Sequence, residues 1–257
     1  ILKEHVIFFY PHYHDWYGLA IFVKKNLKVA EEGDIFVHKD RGWVHQEFHA
    51  NHARNLQYVT IDTENGVRTI LNFHGLWNGG PKEDTEERII QSDNIAKFLK
   101  NIKHHHVLMG DFNLLPETRS LKMLEGLGMR NLIKEFGITS TRSSYYTKPA
   151  RFADYTLVSK DIKINDFKVD LLLVGCRSLE LDFATKLLKQ VNASKIPVIV
   201  GGQHPTVSPE EVIKSEAVDY ICIGEGEEAI SDLVKAIETN ADTTNIKNIW
   251  AKINGKI

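Results

Sequence analysis

Cysteine is nearly absent from this 257-residue chain. Cys176 and Cys222 are the only two, each ends an apolar run, and neither belongs to a Cys-x-x-Cys pair. That argues against a disulfide scaffold or a cysteine zinc site, and it fits a reducing cytoplasm. Both read as small buried thiols. Long apolar runs are missing as well: nothing approaches the roughly 18 residues that span a bilayer, so no membrane partner is expected. The opening stretch ILKEHVIFFY has no charged n-region, no long apolar core and no small-residue cleavage site, so no signal peptide is expected. The first residue is Ile1 rather than Met, which leaves an upstream start open. A charge excess is also lacking. Lys+Arg number 32 and Asp+Glu 34, a net charge of −2, which excludes a global pull toward nucleic acid. There is no internal repeat and no low-complexity linker.

What is present falls into two rhythms. Residues 1–169 carry 23 Lys+Arg against 21 Asp+Glu, and residues 170–257 carry 9 against 13, so the charge balance changes from +2 to −4 near residue 170. The first part reads as mixed α/β with hairpins. Leu56–Asp62 and Val67–Phe73 alternate like strands around Asn65-Gly66, a strong short hairpin signal. A helix follows, with Asp84 as cap, Glu87 three residues on, and Ile89, Ile90, Phe98, Leu99 and Ile102 at helical spacing. An apolar strand runs into Gly110, and Tyr155 to Val158 forms another.

After residue 169, DLLLVGC, IPVIVGG and DYICIGE are short apolar runs closed by glycine and separated by helical patterns at Leu181–Val191 and Val212–Lys214. Ser208 is expected to cap the second helix, with Pro209 at N1 and Glu211 at N3. Strands buried on both faces and alternating with helices indicate a parallel sheet, and ligands of such sheets sit beyond the carboxyl ends of the strands. The fold expected is therefore α/β in two parts, 1–169 and 170–257, with no Gly/Ser/Pro spacer at the seam near Lys168–Asp170.

In the first part, VLMGDFN ends an apolar strand on a carboxylate. Asp111 there can bind Mg²⁺ or orient a water, and Asn113 can hold a phosphate oxygen. His74 ends NFHG in the same way and can donate to a phosphate, while Asp154 can fix an imidazole from behind. Two histidine clusters, PHYHD (His12, His14, Asp15) and HHH (His104 to His106), are weighed as metal pairs and as polar strand edges. NFHG, MGDFN and RFADYTLVS, in that order, together with YGLAIFVKKN, resemble the endonuclease/exonuclease/phosphatase superfamily with its DNase I-like fold. The resemblance implies a β-sandwich flanked by helices and Mg²⁺-dependent cleavage of a phosphate ester, with nucleic acid among the candidate partners. It gives Asp111, also the candidate metal ligand, and Asn113 the water and phosphate roles. It gives His74 phosphate contact or acid assistance, and it makes Asp154 a histidine's partner.

The sequence departs from that pattern at both ends. The family's metal-binding glutamate and the asparagine before it would precede residue 1. IKINDFKV leads into DLLLVGCRS, where the family has Ser-Asp-His. The β-sandwich is therefore expected to be partial and its catalysis impaired, since losing one member of a cooperative set costs orders of magnitude in rate.

In the second part, glycines at strand ends let backbone approach a flat or phosphorylated ligand, though neither pair matches a dinucleotide or P-loop fingerprint. VIVGGQHPT, SPEEV and VDYICIGEGEE resemble the cobalamin-binding domain of B12-dependent radical S-adenosylmethionine proteins, and NIWAKINGKI resembles the hairpin that follows it. By this resemblance Ser178, Gly201, Gly202, His204, Pro205, Gly224, Gly226 and Glu227 line a corrinoid pocket of a partial Rossmann-like domain. The family's first strand and helix and its Cys-x3-Cys-x2-Cys cluster are missing here. Three function classes stand at this point: an impaired Mg²⁺-dependent phosphoesterase, a cobalamin-binding accessory module, and a chimeric fragment with neither activity.

Overall fold

The computed structural model describes residues 4–142, 149–164, 171–191, 196–253, 255 and 257. These form two compact units, within Glu4–Phe167 and within Lys168–Ile257. The seam at Lys168–Asp170 lies outside the described residues, as does most of the strand expected over IKINDFKV; its first residues, 162–164, are not in a strand.

The first unit is built on a six-stranded sheet. Strands β1 (His5–His14) and β2 (Tyr17–Lys24) form a separate antiparallel hairpin. Strands β3 (Lys28–His38), β4 (Arg54–Thr63) and β5 (Gly66–His74) are antiparallel neighbours. Helix α1 (Glu86–Leu99) then crosses over, so β6 (His105–Asp111) lies parallel to β5. After helix α2 (Arg119–Glu125), strand β7 (Met129–Asn131) and helix α3 (Leu132–Glu135), strand β8 (Asp154–Ser159) inserts between β6 and β7. The order is β3-β4-β5-β6-β8-β7.

The two faces of this sheet differ. On one, Leu56, Leu71, Phe73, Leu108 and Leu157 pack against Ile95 and Leu99 of α1 and Leu121 and Leu124 of α2, all buried in one core. On the other, amides reach the hairpin: Gln57 Nε2 donates to the Phe8 carbonyl (2.7 Å) and Asn72 Nδ2 to that of Ala20 (3.3 Å). The sandwich is thus a six-stranded layer faced by a two-stranded one, held in part by hydrogen bonds between side chains and hairpin backbone.

One capping expectation in this unit is corrected. Thr85, not Asp84, caps α1, its hydroxyl accepting from the Arg88 amide at 3.3 Å. Asp84 lies one residue too early and instead caps α2, accepting from the Arg119 and Ser120 amides at 2.7 and 2.9 Å. The hairpin expected around Asn65-Gly66 forms, with Thr63 opposite Gly66. Gly66 alone takes a positive φ (95°), so the turn is not the primed type in which Asn65 would share it.

The second unit holds β9 (Leu172–Gly175), β10 (Val198–Gly201) and β11 (Tyr220–Cys222), mutually parallel, with β12 (Ile249–Ala251) antiparallel on β11. Alternation sends Val198, Val200 and Ile221 to one face, with Ala184 and Leu188 of α4 (Leu181–Val191) and Val212 and Ile213 of α6 (Pro209–Ile213). Ile199 and Cys222 go to the other face, with Ala229 and Leu233 of α7 (Glu227–Glu238). Helix α5 (Gln203–Val207) follows β10 directly. Ser208 stands at the N-cap of α6 with Pro209 next, but its side chain makes no capping bond. Glu211 turns to His204 instead. Cys176 and Cys222 are free and buried. No helix among the described residues is long and apolar enough to cross a membrane.

Candidate functional site

Register brings three of the sequence candidates into one row. His74 ends β5 directly beside Asp111 at the end of parallel β6, and Asp111 pairs with Asp154 at the start of antiparallel β8. Paired residues of neighbouring strands share a face, so all three side chains leave the sheet on the hairpin side. The Asp-Phe-Asn step explains itself in three dimensions. Phe112 is buried edge-on to Phe73 and Tyr155, at ring distances of 5.2 and 5.4 Å. That aromatic anchor holds the turn while its two polar neighbours stay on the pocket side. Asn113 takes a positive φ of 53°, its amide donates to Asp111 Oδ1 at 2.9 Å, and its Nδ2 donates to the Gly75 carbonyl at 3.3 Å. One amide hydrogen of Asn113 remains for a ligand.

His74, Asp111 and Asn113 line a cavity of about 350 Å³ together with Tyr17, His52, Arg54, Lys82 and Arg142. Arg54 is 1% exposed. Its Nη2 donates to the Ala50 carbonyl at 3.0 Å, while Nε and Nη1 are buried without an acceptor. Burial pushes its pKa down to about 10, against the pull of Tyr17 and Asp111. Three imidazoles cluster beside it: His12 lies 5.2 Å from His52 and 6.2 Å from His74, ring to ring. Burial first, then the Arg54 charge, lowers His12 to about 3 and His52 and His74 to about 4. All three are neutral at pH 7. His74 can therefore donate a hydrogen bond, but it is a poor acid.

Arg142 bridges the two carboxylates. Its Nη2 lies 3.2 Å from Asp111 Oδ2 and its Nη1 3.6 Å from Asp154 Oδ2. Asp154 thus faces a guanidinium in the place where an imidazole was expected. Burial and the Asp111 charge raise the Asp154 pKa, against Arg142.

The donor set does not fit the expected Mg²⁺. Among the described residues no three His, Cys, Asp or Glu side chains converge on one point. Asp111, the expected ligand, has one oxygen on the Asn113 amide and the other on Arg142. The histidine clusters do not supply a site either. His12 is buried, whereas His14 stacks on Trp16 at 5.3 Å. His104 Nε2 is bonded to Thr69 and His106 Nδ1 to the His104 carbonyl. Sequence reasoning missed Arg54, His52, Lys82 and Arg142. The available signal for Arg54 was a cation opening a run that is otherwise buried; Arg142 carried none.

In the second unit the candidates gather at the strand ends. His204 Nδ1 meets Ser178 Oγ at 3.0 Å and its Nε2 lies 3.3 Å from Glu211. The Nδ1 contact ties the turns after β9 and β10 together, while Nε2 is buried without a hydrogen-bond partner. Gly202 (φ 106°) sits where a Cβ would come 3.0 Å from the Cys176 carbonyl, and Gly226 packs on Ile230 and Cys222. These two glycines serve the protein's own packing, and Gly201 lies in van der Waals reach of Cys222. Pro205 is buried in α5, and Glu227 opens α7. Gly224 differs: with φ 70° and nothing within 4 Å of a built Cβ, it offers bare backbone to a flat ligand, and its amide is oriented by Thr206 Oγ1 at 2.9 Å. That exposed backbone fits the approach of a corrinoid.

A sheet flanked by helices on one face, with a polar His-Asp-Asp row at its strand ends, is the architecture of a phosphoesterase-like protein. The chain belongs to the Endonuclease/Exonuclease/phosphatase family, which it matches over residues 2–175. Residues 160–234 match the B12 binding domain, so the two matches overlap across the seam. Among solved structures, the chain is similar to a mannosyl-6-phosphatase of Bacteroides thetaiotaomicron, with 14% identity, TM-score 0.49, and coverage of 62% of this chain and 64% of that one. It is similar to the human Nocturnin catalytic domain with bound sulfate at 19% identity and TM-score 0.44, covering 61% of each chain. The radical S-adenosylmethionine methyltransferase TsrM of Kitasatospora setae matches 35% of this chain and 18% of its own, at 18% identity and TM-score 0.33. In each case the match spans less than two thirds of the other protein's length. A search of curated protein sequences finds no match.

Proposed function

We propose that the Glu4–Phe167 unit binds the phosphate of a phosphate ester in the His74–Asp111–Asn113 pocket and hydrolyses it poorly. The observation that carries this reading is Arg54: a buried guanidinium with two nitrogens lacking acceptors, lining the same cavity as the His-Asp row. Buried guanidinium donors without acceptors are costly, and a phosphate oxygen would relieve them. His74 donates to a second oxygen and Asn113 to a third. Cleavage needs a base and an acid besides. Both Asp111 oxygens are engaged, Asp154 faces Arg142, and neutral His74 is a weak proton source. The family name covers nucleases and phosphatases, so nucleic acid and small monoesters are the two substrate classes.

Phosphorus NMR of phenyl phosphate with the full chain reads binding and cleavage together. The expected result is a saturable shift of the ester signal, lost in Arg54→Met, with inorganic phosphate growing only slowly. No shift at saturating protein rejects the reading.

The second unit supports a separate proposal. The B12 binding domain match and the open backbone at Gly224 favour cobalamin, which when bound supplies a cobalt centre for one-carbon or electron transfer. Ser178, Gly224 and Glu227 are the residues expected nearest to it. A shift of the corrinoid visible spectrum on mixing, weakened about tenfold or more by Gly224→Val, is expected from a bulky side chain placed at a positive φ. An unchanged spectrum contradicts it.

A further inference from the structure

The charges around Asp111 describe a pocket already supplied with a cation. Arg54, Lys82, Arg142 and Asp111 line it, and Asp154 adds a second carboxylate through its pairing with Arg142. Lys82 is buried, with its Nζ donating to the Phe152 carbonyl at 3.0 Å. The three imidazoles add no charge at pH 7. Among the described residues three cations face two anions there, a surplus of one positive charge before any ligand enters. A divalent cation entering it would meet that positive surplus and would have to displace a guanidinium from both carboxylates. An oxyanion entering it meets Arg54 Nε and Nη1, which have no acceptor.

We propose that Arg142 stands in for a divalent ion. It bridges Asp111 and Asp154, and together with Arg54 it makes a metal-independent site for a tetrahedral oxyanion, either inorganic phosphate or the phosphoryl group of a monoester. The inference rests on the phosphate reading above and goes further, because it removes the metal from binding. Guanidinium is suited to the exchange: its planar fork engages two carboxylates from one side and remains charged at any working pH.

Calorimetric titration of the full chain with inorganic phosphate, once in EDTA and once in Mg²⁺, tests it. The expected result is one dissociation constant in both, equal within about twofold. Arg142→Met, checked for folding by its thermal melt, should weaken binding in EDTA by about tenfold, the scale of one charge-assisted hydrogen bond. Mg²⁺ should then restore part of the loss, since the carboxylates are freed. Phosphate bound by the unaltered chain only in Mg²⁺ overturns the inference while leaving the phosphate reading intact. Unchanged binding by Arg142→Met in EDTA also overturns it. Phosphate bound under neither condition defeats both.

Discussion

Gly110→Ala leaves the Glu4–Phe167 unit unfolded or nearly so. A Cβ at this position would lie 1.9 Å from the Phe73 carbonyl oxygen and 2.9 Å from its carbon, and Gly110 has a φ of 141°. The clash is with backbone, which has no rotamer to change. Phe73 is paired with Gly110 in the parallel β5–β6 ladder and buried at the centre of the core. Relief therefore means separating the two strands that set His74 beside Asp111. The expected loss is above about 4 kcal/mol, in the range kept for severe overpacking and backbone strain, against a typical total of roughly 5–15 kcal/mol. Gly128→Ala is the control. It also has a positive φ (86°), but nothing lies within 4 Å of its Cβ, so it should cost only about 1–2 kcal/mol. Urea unfolding followed by circular dichroism separates the two. A Gly110→Ala chain within 1 kcal/mol of the unaltered one would refute the packing described for the β5–β6 pair.

Acid destabilises the same unit well before carboxylates begin to titrate. His52 and His74 titrate near pH 4 and His12 near pH 3 in the folded chain, because burial and then the Arg54 charge penalise the imidazolium. Unfolded, each titrates near 6.5. As pH falls through 6.5 the unfolded chain takes up protons that the folded chain refuses, so the equilibrium moves toward unfolding. Stability is full above about pH 6.5 and drains away toward pH 4. For His52, a depression of roughly 2.5 units corresponds to about 3 kcal/mol across that window. His52→Asn keeps a donor near the Ala53 carbonyl, which His52 Nδ1 meets at 2.8 Å, but has nothing to titrate. Its urea midpoint should fall less between pH 7.5 and pH 5 than that of the unaltered chain. Parallel pH profiles would contradict the buried-imidazole account.

The parts of this molecule that could be read from sequence are those in which a local pattern decides the outcome. The β4–β5 hairpin follows from alternation and turn residues, and the strand into Gly110 and strands β9 to β11 follow from short apolar runs closed by glycine. His74, Asp111 and Asp154 were recognisable as strand-end polar residues, and register alone then places them in one row. Arg142 was not legible, because it lies in a loop without periodicity and only β8 brings it to the carboxylates. Asp84 and Thr85 are both good caps, one residue apart, and the choice between them depends on where α2 begins, 35 residues away from Asp84. The partners of the expected Mg²⁺ ligand were illegible for a related reason: the loop residue Arg142 meets Asp111 only in the fold. A sequence shows which carboxylates exist, and the fold shows that Arg142 pairs with both Asp111 and Asp154.

The most direct test of the phosphate site is a proton–nitrogen NMR titration of the full chain with phenyl phosphate. The account predicts saturable shifts at the Asn113 amide and the Arg54 Nε–H, with Gly224 unmoved. Silent Asn113 and Arg54 signals, or shifts scattered over both units, would contradict it.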